Sequence, residues 1–264
     1  MRLRAFILAA GRGKRLGALT DNKPKVLLEL EEGLTFLDYH MCLLKHFAGL
    51  KSDDVVIVAG YNANAVMKFV HKYNIRVLIN NFYNIYENMY SVYITYKLLE
   101  GADGYIILNG DTLVHPCILV GLIDAFYSSR NNDRVAMLAV DSIKKLGKEE
   151  MKVVIEKGKV KRLGKEIDTS IASGEYIGLS IFGSTAYKKF IESLSEHVTH
   201  GVTNVWYEMV LNSLVNKIEI LPFYIGSMPW IEVDTADDYM ISINLFKNIF
   251  KKHIKRCYTS ERDK

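Results

Sequence analysis

The chain has 264 residues, 49% hydrophobic and 24% charged, which supplies a core and excludes disorder over most of its length. The formal charge of +4 is small for this size; it suits phosphate-rich ligands and does not point to nucleic acid. The three cysteines, Cys42, Cys117 and Cys257, form neither a disulfide framework nor a CxxC metal pair, so a reducing cytoplasm is expected, and every apolar run is strand-sized rather than membrane-spanning.

The first predicted element is a strand over Arg2 to Ala9, beginning almost at Met1 with no signal-peptide pattern before it. A continuous apolar run that ends at a glycine loop is the pattern of a parallel strand covered on both faces. A loop rich in Gly, Lys and Arg follows, then a short strand at Val26 to Leu30. Phe36 to Phe47 carries apolar residues at helical spacing. A strand at Asp54 to Ala59, a helix at Ala63 to Tyr73 and a strand at Ile75 to Ile79 repeat the alternation. Asn88 to Glu100 reads as a helix stopped by Gly101, Gly104 to Leu108 as a strand, and Pro116 to Tyr127 as a helix with Pro near its start. Such alternation implies βαβ units and a mostly parallel sheet with right-handed crossovers.

From about Val135 the rhythm changes. Val135 to Val140, Lys152 to Glu156, Lys159 to Leu163 and Glu175 to Phe182 read as strands, with Lys157-Gly158 as a hairpin signal. Helices at Ser184 to Ser193 and Thr203 to Leu214 precede short strands at Lys217 to Leu221 and Pro229 to Val233, and a long helix runs from Thr235 towards Lys252. The expected architecture is one α/β domain over residues 1–264 with a Rossmann-like, mostly parallel mixed sheet flanked by helices. Residues 1–130 form its nucleotide-binding half and residues 131–264 an acceptor-binding half with a C-terminal helix.

The loop from Ala10 to Lys25 is the richest in chemical information. Gly11 and Gly13 let backbone N–H groups approach phosphate oxygens, while Lys14, Arg15, Lys23 and Lys25 add fixed positive charge for a triphosphate and a leaving pyrophosphate. A Walker A loop needs Gly-Lys-Ser/Thr, which is absent here. The dinucleotide spacing GxGxxG is broken by Leu16, with Gly17 one position late.

The run Leu8-Ala9-Ala10-Gly11-Arg12-Gly13-Lys14-Arg15-Leu16, followed by Pro24-Lys25, resembles the signature of the sugar-phosphate nucleotidyltransferases and their cytidylyltransferase relatives. The resemblance implies a GT-A-like nucleotidyltransferase architecture, a bound triphosphate, Mg²⁺, and in-line attack by a substrate phosphate on the α-phosphorus. It assigns phosphate and nucleotide contacts to Leu8, Ala10, Gly11, Gly13, Arg15 and Lys25, with Arg15 and Lys25 as the catalytic cations. Asn109-Gly110-Asp111 resembles the Gly-Asp element whose aspartate binds the metal, with Gly110 beside the nucleotide. Trp230-Ile231-Glu232-Val233-Asp234-Thr235 resembles the element that supplies the second metal carboxylate, Asp234. No Ser/His or Cys/His pair is needed, because a phosphate monoester is already an anionic nucleophile at neutral pH.

Glu87-Asn88-Met89-Tyr90-Ser91 resembles an element of the choline-phosphate and inositol-phosphate cytidylyltransferases, which makes Asn88 and Ser91 candidates for base or ribose contact. The expected reaction is CMP transfer from CTP to a small phosphorylated alcohol of the phosphocholine or inositol 1-phosphate type. A hexose-1-phosphate uridylyl- or thymidylyltransferase, a non-catalytic nucleotide-binding subunit and a glycosyltransferase are the alternatives. Glu175, Tyr176, Trp230 and Glu232 are the acceptor candidates: the resemblance to choline-phosphate enzymes implies a trimethylammonium group held by aromatic rings and carboxylates, which suits Tyr176, Trp230 and Glu232, whereas a polyol acceptor would use hydrogen bonds instead. The stripe Tyr83, Tyr86, Tyr90, Tyr93 reads as helix packing, and His197 with His200 as a polar loop rather than a metal pair. The basic tail (Lys247, Lys251, Lys252, Lys255, Arg256, Arg262, Lys264) could touch an anionic membrane, but packing of a terminal helix on the domain is the expected reading. Assembly into a homo-oligomer is compatible with the sequence.

Overall fold

The computed structural model describes residues 2–254 and residue 257. The opening apolar run forms β1 (Leu3–Ala9), buried along its length except at Leu8. The buried guanidinium of Arg4 donates to the carbonyls of Leu98 and Glu100. After the glycine loop come β2 (Glu29–Glu31), β3 (Leu34–Thr35) and α1 (Phe36–Cys42). Thr35 and Asp38 cap α1 reciprocally, satisfying the N–H groups that a helix start leaves free. β4 (Val55–Ala59), α2 (Ala63–Val70), β5 (Arg76–Ile79), α3 (Met89–Tyr93), β6 (Gly104–Asn109), β7 (Thr112–Val114) and α4 (Pro116–Ser128) complete the first half.

The second half adds β8 (Val135–Asp141), β9 (Lys152–Glu156), β10 (Lys159–Gly164), β11 (Gly174–Gly183), α5 (Ser184–Thr199) and α6 (Tyr207–Val210). It ends with β12 (Glu219–Tyr224), β13 (Trp230–Glu232) and α7 (Ala236–Leu245), which continues as a wider helical turn over Phe246–Phe250. Most of the strands join one nine-stranded mixed sheet ordered β10-β9-β11-β6-β1-β4-β5, with β8 on β11 and β12 on β8. β1 lies parallel between β4 and β6, with Ala5 opposite Val55 and Ile106. β11 then runs antiparallel to β6, so the sheet changes character where the sequence rhythm changes.

Strand alternation sends successive side chains to two cores. Ala5, Ile7 and Ala9 face a layer built from α1, α2, α4 and the C-terminal helix. Phe6 faces the other layer, where it stacks on Tyr105 and Tyr187 at 6.1 and 5.9 Å beneath α3, α5 and α6. The hairpin at Lys157-Gly158 is as expected, with φ of 50° and 74° at the two turn residues.

Four expectations are corrected. Val26 to Leu30 is not one strand: after Pro24, Lys25–Leu27 make a single tight turn with all three side chains buried, and pairing starts only at Glu29. The helix expected from Thr203 starts at Tyr207, because Gly201 turns at φ 68° and the Thr203 carbonyl is engaged by Glu87 N–H. The strand expected at Lys217 runs instead from Glu219 to Tyr224, and Pro222 is tolerated because β12 pairs on one side only, with β8. Cys42 and Cys257, separated by 215 residues, form a disulfide that ties α1 to the C-terminal helix. No local spacing could reveal that pair, which depends on two helices packing.

Phe246, Phe250 and Ile254 are buried in the first core, so the apolar side of the terminal helix packs on the domain. Of the basic tail, Lys255, Arg256, Arg262 and Lys264 lie outside the described residues. Among the described residues no helix is long and apolar enough to cross a membrane.

Candidate active site

In an open α/β sheet, ligands bind beyond the carboxyl ends of the strands where the strand order reverses. Here that point is β1, flanked by β4 on one side and β6 on the other. The loops leaving β1 and β6 line one wall of a cleft of about 1020 Å³, in the size range of small-molecule sites. Leu8, Ala10, Gly11, Arg15, Asn88, Ser91, Asp111, Glu175, Tyr176, Trp230, Glu232 and Asp234 all reach this one cleft. Gly13, Lys25 and Gly110 are not among its lining residues; Lys25 is buried, and Gly13 packs on its stem.

The β1 loop owes its shape to glycine. Gly13 has φ 70°, and a Cβ there would meet the Lys25 stem at 3.3 Å. The Gly13 carbonyl accepts from Thr20 Oγ1 at 2.9 Å and from Leu16 N–H at 3.0 Å, which closes the loop on itself. Pro24 then sets an extended backbone from which Lys25 turns inward, its side chain only 11% exposed.

Two carboxylates far apart in sequence meet above Lys25. Asp111 follows β6, where Gly110 passes so close to β1 that a Cβ would lie 2.6 Å from the Leu8 carbonyl oxygen. β7 then pairs antiparallel with β13, setting Thr112 opposite Glu232, and Val233 N–H donates to the Asp111 carbonyl at 3.0 Å. That register brings Asp234 to Asp111. Capping of α7 is done by Thr235 with Asp238, so Asp234 keeps its carboxylate for the cleft. Buried His40 supports the same strand from α1, its Nε2 lying 2.9 Å from the Thr112 carbonyl. Burial pushes His40 down to about 4, so the ring is neutral and Nε2–H donates.

Lys25 Nζ lies 2.9 Å from Asp111 and 3.1 Å from Asp234, and Arg15 Nη2 lies 2.8 Å from Asp234. Burial opposes charge on Lys25, but the two aspartates outweigh it and raise its amine above the ordinary lysine value. Glu232 opens into the same space. Its side chain is exposed to the cleft, and the enclosing walls together with repulsion from Asp111 and Asp234 raise its carboxyl above the ordinary glutamate value. Oxygen donors of Asp111, Glu232 and Asp234 lie within 4.8 Å of one another, the one such group of three found among the described residues. Hard carboxylate oxygens gathered at that spacing fit a hard divalent cation.

Across the cleft from the β1 loop stands a polar wall. Asn88, a candidate for base contact, has both ends of its amide engaged: Oδ1 accepts from Tyr207 N–H at 2.9 Å and Nδ2 donates to Glu208 at 3.2 Å. Ser91 Oγ likewise accepts from Asn80 Nδ2 at 2.9 Å. Both therefore brace the wall through their side chains. Glu208 is buried behind Asn88, and burial pushes its carboxyl up to about 7 against the Asn88 hydrogen bond. Nothing in the sequence distinguishes Glu208 from a surface glutamate of a short helix.

Beyond Trp230 the cleft carries Asp141, Glu149, Glu150, Glu175 and Glu232. Trp230 Nε1 donates to Asp141 Oδ2 at 2.7 Å. Glu175 is buried and ion-paired with Lys144 at 3.0 Å. Tyr176 is buried too; its hydroxyl is held 3.0 Å from Ser180 and from Tyr207, and burial pushes it up. Sequence reading missed Asp141 and Lys144, which reach the site through the β8–β11 pairing. His197 and His200 turn their Nδ1 atoms to the carbonyls of Ser193 and Glu196, one helical turn back, and form no joint site.

Known proteins resemble this chain in sequence and in fold. The model of the MobA-like NTP transferase domain matches residues 5–165. The choline-phosphate cytidylyltransferase of Streptococcus pneumoniae is 33% identical over 112 residues, 40% of this chain and 47% of that protein, so the match spans about half the relative's length. The CTP:phosphoglutamine cytidylyltransferase of Campylobacter jejuni is 24% identical over 261 residues, 91% of this chain and 99% of that protein. The solved inositol-1-phosphate CTP transferase of T. maritima shares the fold with a TM-score of 0.73 at 22% identity, covering 94% of this chain and 98% of that one. The chain belongs to the MobA-like NTP transferase family.

Proposed function

We propose that this member of the MobA-like NTP transferase family transfers CMP from CTP to a small phosphorylated alcohol and releases pyrophosphate. The observation that carries the reading is the buried Lys25 ammonium between Asp111 and Asp234, with Arg15 beside it, under a glycine loop at the carboxyl end of β1. Both curated relatives named above are cytidylyltransferases, which favours cytidylyl transfer over the uridylyl or thymidylyl alternative.

In this reading the acceptor's phosphate oxygen attacks the α-phosphorus of CTP. The bond from that phosphorus to the bridging oxygen of the β-phosphate breaks, and its electron pair leaves on pyrophosphate. Backbone N–H groups around Gly11 and Gly13 and the Arg15 guanidinium would hold the phosphates. Lys25 would stabilise charge growing on the transferred phosphoryl group, from a position already fixed before substrate arrives. Asp111, Glu232 and Asp234 would hold Mg²⁺, which when bound neutralises phosphate charge and so reduces repulsion between the two reacting anions. Leu8, Ala10 and the wall braced by Asn88, Ser91 and Glu208 would flank the nucleoside. Glu175, Tyr176 and Trp230 would face the acceptor. We assign this activity to the cytoplasm.

The test is pyrophosphate release from CTP, UTP, dTTP, GTP and ATP, each paired with phosphocholine, inositol 1-phosphate and glucose 1-phosphate. Turnover should require CTP and a phosphorylated alcohol. Turnover confined to UTP or dTTP with glucose 1-phosphate would replace this reading with the hexose-phosphate one.

A further inference from the structure

The acceptor end of the cleft already holds a cation that belongs to the chain. Lys144 lies on the loop between β8 and β9, and its ammonium sits 3.0 Å from Glu175 Oε2 and 3.8 Å from Glu150 Oε1. The same ammonium lies over the Trp230 ring, 5.1 Å from its centroid. One carboxylate aligns both partners. Asp141 Oδ2 accepts from Trp230 Nε1, while its Oδ1 accepts from the backbone N–H groups of Ile143 and Lys144 at 2.8 and 3.0 Å. Ring, loop and ammonium are therefore set by Asp141 at the end of β8.

A carboxylate whose side chain is only 4% exposed needs a positive partner, and an aromatic face beside it adds cation–π attraction. Lys144 meets both requirements, yet its own side chain is 45% exposed and its neighbour Ile143 is 66% exposed. The flexible lysine stem can thus withdraw to water without disturbing the core.

We propose that Lys144 is a tethered stand-in for the acceptor's head group: the acceptor is a phosphomonoester carrying a positively charged nitrogen, which displaces the Lys144 ammonium from Glu175 and Trp230. This rests on the reading of the cleft as a site of transfer to a phosphorylated alcohol, and it chooses among such alcohols. Exchange of one cation for another leaves Glu175 paired throughout. An uncharged polyol can enter only beside Lys144, since evicting it would leave a buried carboxylate alone. Lys144 is in this account a specificity-determining residue that competes with the substrate it selects.

Calorimetric binding of phosphocholine and of inositol 1-phosphate, with and without CTP, tests this on the wild type, Lys144→Met and Glu175→Gln. Lys144→Met should tighten phosphocholine binding about fivefold and leave inositol 1-phosphate within about twofold. Glu175→Gln, which removes the charge that needs a cation, should weaken phosphocholine about fivefold or more in the K144M background, where no lysine competes, and less in the wild-type background, where the same change also frees Lys144. The KM for CTP should stay unchanged in all. Weaker phosphocholine binding by Lys144→Met would show that Lys144 holds the acceptor, and an unchanged affinity on adding Glu175→Gln to the K144M background would show that no cation is read there; either result overturns the proposal. If no acceptor turns over with CTP, the transfer reading fails, while calorimetry still decides whether Lys144 competes with a cation.

Discussion

The two ends of the cleft are built by opposite means. The end proposed to hold the nucleotide takes its glycines and cations from one local segment: a contiguous loop between β1 and Lys25 supplies Gly11, Gly13, Arg15 and Lys25. The acceptor end is acidic and aromatic, and its residues come from β8, β11, β13 and the β8–β9 loop. A phosphate cradle needs backbone N–H groups close together, which one loop can provide. A head-group cage needs side chains converging from several directions, and only strand register provides that. One end is therefore suited to a constant ligand and the other to an acceptor that varies among relatives.

The largest expected effect breaks the nucleotide end. Lys25→Ala removes the buried ammonium and leaves Asp111 and Asp234 facing each other, so kcat for pyrophosphate release should fall at least about hundredfold. A thermal melt separates lost chemistry from lost folding. Asp111→Asn should lower kcat by about ten- to a hundredfold and raise the Mg²⁺ concentration needed for half-maximal rate, read from a magnesium titration. If Asp111→Asn leaves both quantities unchanged, the carboxylate triad is not the cation site.

Proton linkage sharpens the picture of the nucleotide end, because two buried groups there, His40 and Glu208, work in opposite directions. His40, beneath Asp111, is pushed from 6.5 down to about 4, so the stability it contributes is present above 6.5 and lost as pH falls towards 4. Glu208, behind Asn88, is raised from 4.5 to about 7, so its contribution is present below 4.5 and lost as pH rises through 7. Denaturant melts from pH 4 to 8 should show Glu208→Gln flattening the high-pH side, by up to about 3 kcal/mol. His40→Gln should flatten the low-pH side. An unaltered pH profile in Glu208→Gln would mean that its carboxyl is solvated.

The smallest effect concerns the Cys42–Cys257 disulfide, which a reducing cytoplasm does not maintain. Reduction should lower the unfolding midpoint by a few degrees and leave the KM for CTP unchanged, since the bond ties α1 to the terminal helix away from the cleft. Thiol titration of rapidly quenched cells, with three free cysteines expected, checks the assigned location at the same time.

How much of this was legible in the sequence follows the same division. β1, β4 and β6 were readable because a strand covered on both faces is a continuous apolar run. Asp111 and Asp234 stood out because each closes a strand inside a recognisable motif. β7, with three residues between Asp111 and His115, is too short to leave a periodic signal, yet its pairing with β13 is what joins the two aspartates. Asn88 and Ser91 were placed at the cleft by pattern, but the pattern could not show that their polar atoms are engaged by Tyr207, Glu208 and Asn80. Lys144 was silent for a similar reason: a lysine in a loop announces nothing until the ring and the carboxylate it meets, 86 and 31 residues away, are brought alongside.

The central claim, CMP transfer through the Lys25–Asp111–Asp234 floor, is tested most directly with CTP labelled in its α-phosphate, incubated with Mg²⁺ and phosphocholine. The label should appear in a CDP-alcohol formed in equal amount with unlabelled pyrophosphate, and Lys25→Ala should abolish that product. Label appearing as free CMP with no CDP-alcohol, or a CDP-alcohol formed at an undiminished rate by Lys25→Ala, would contradict it.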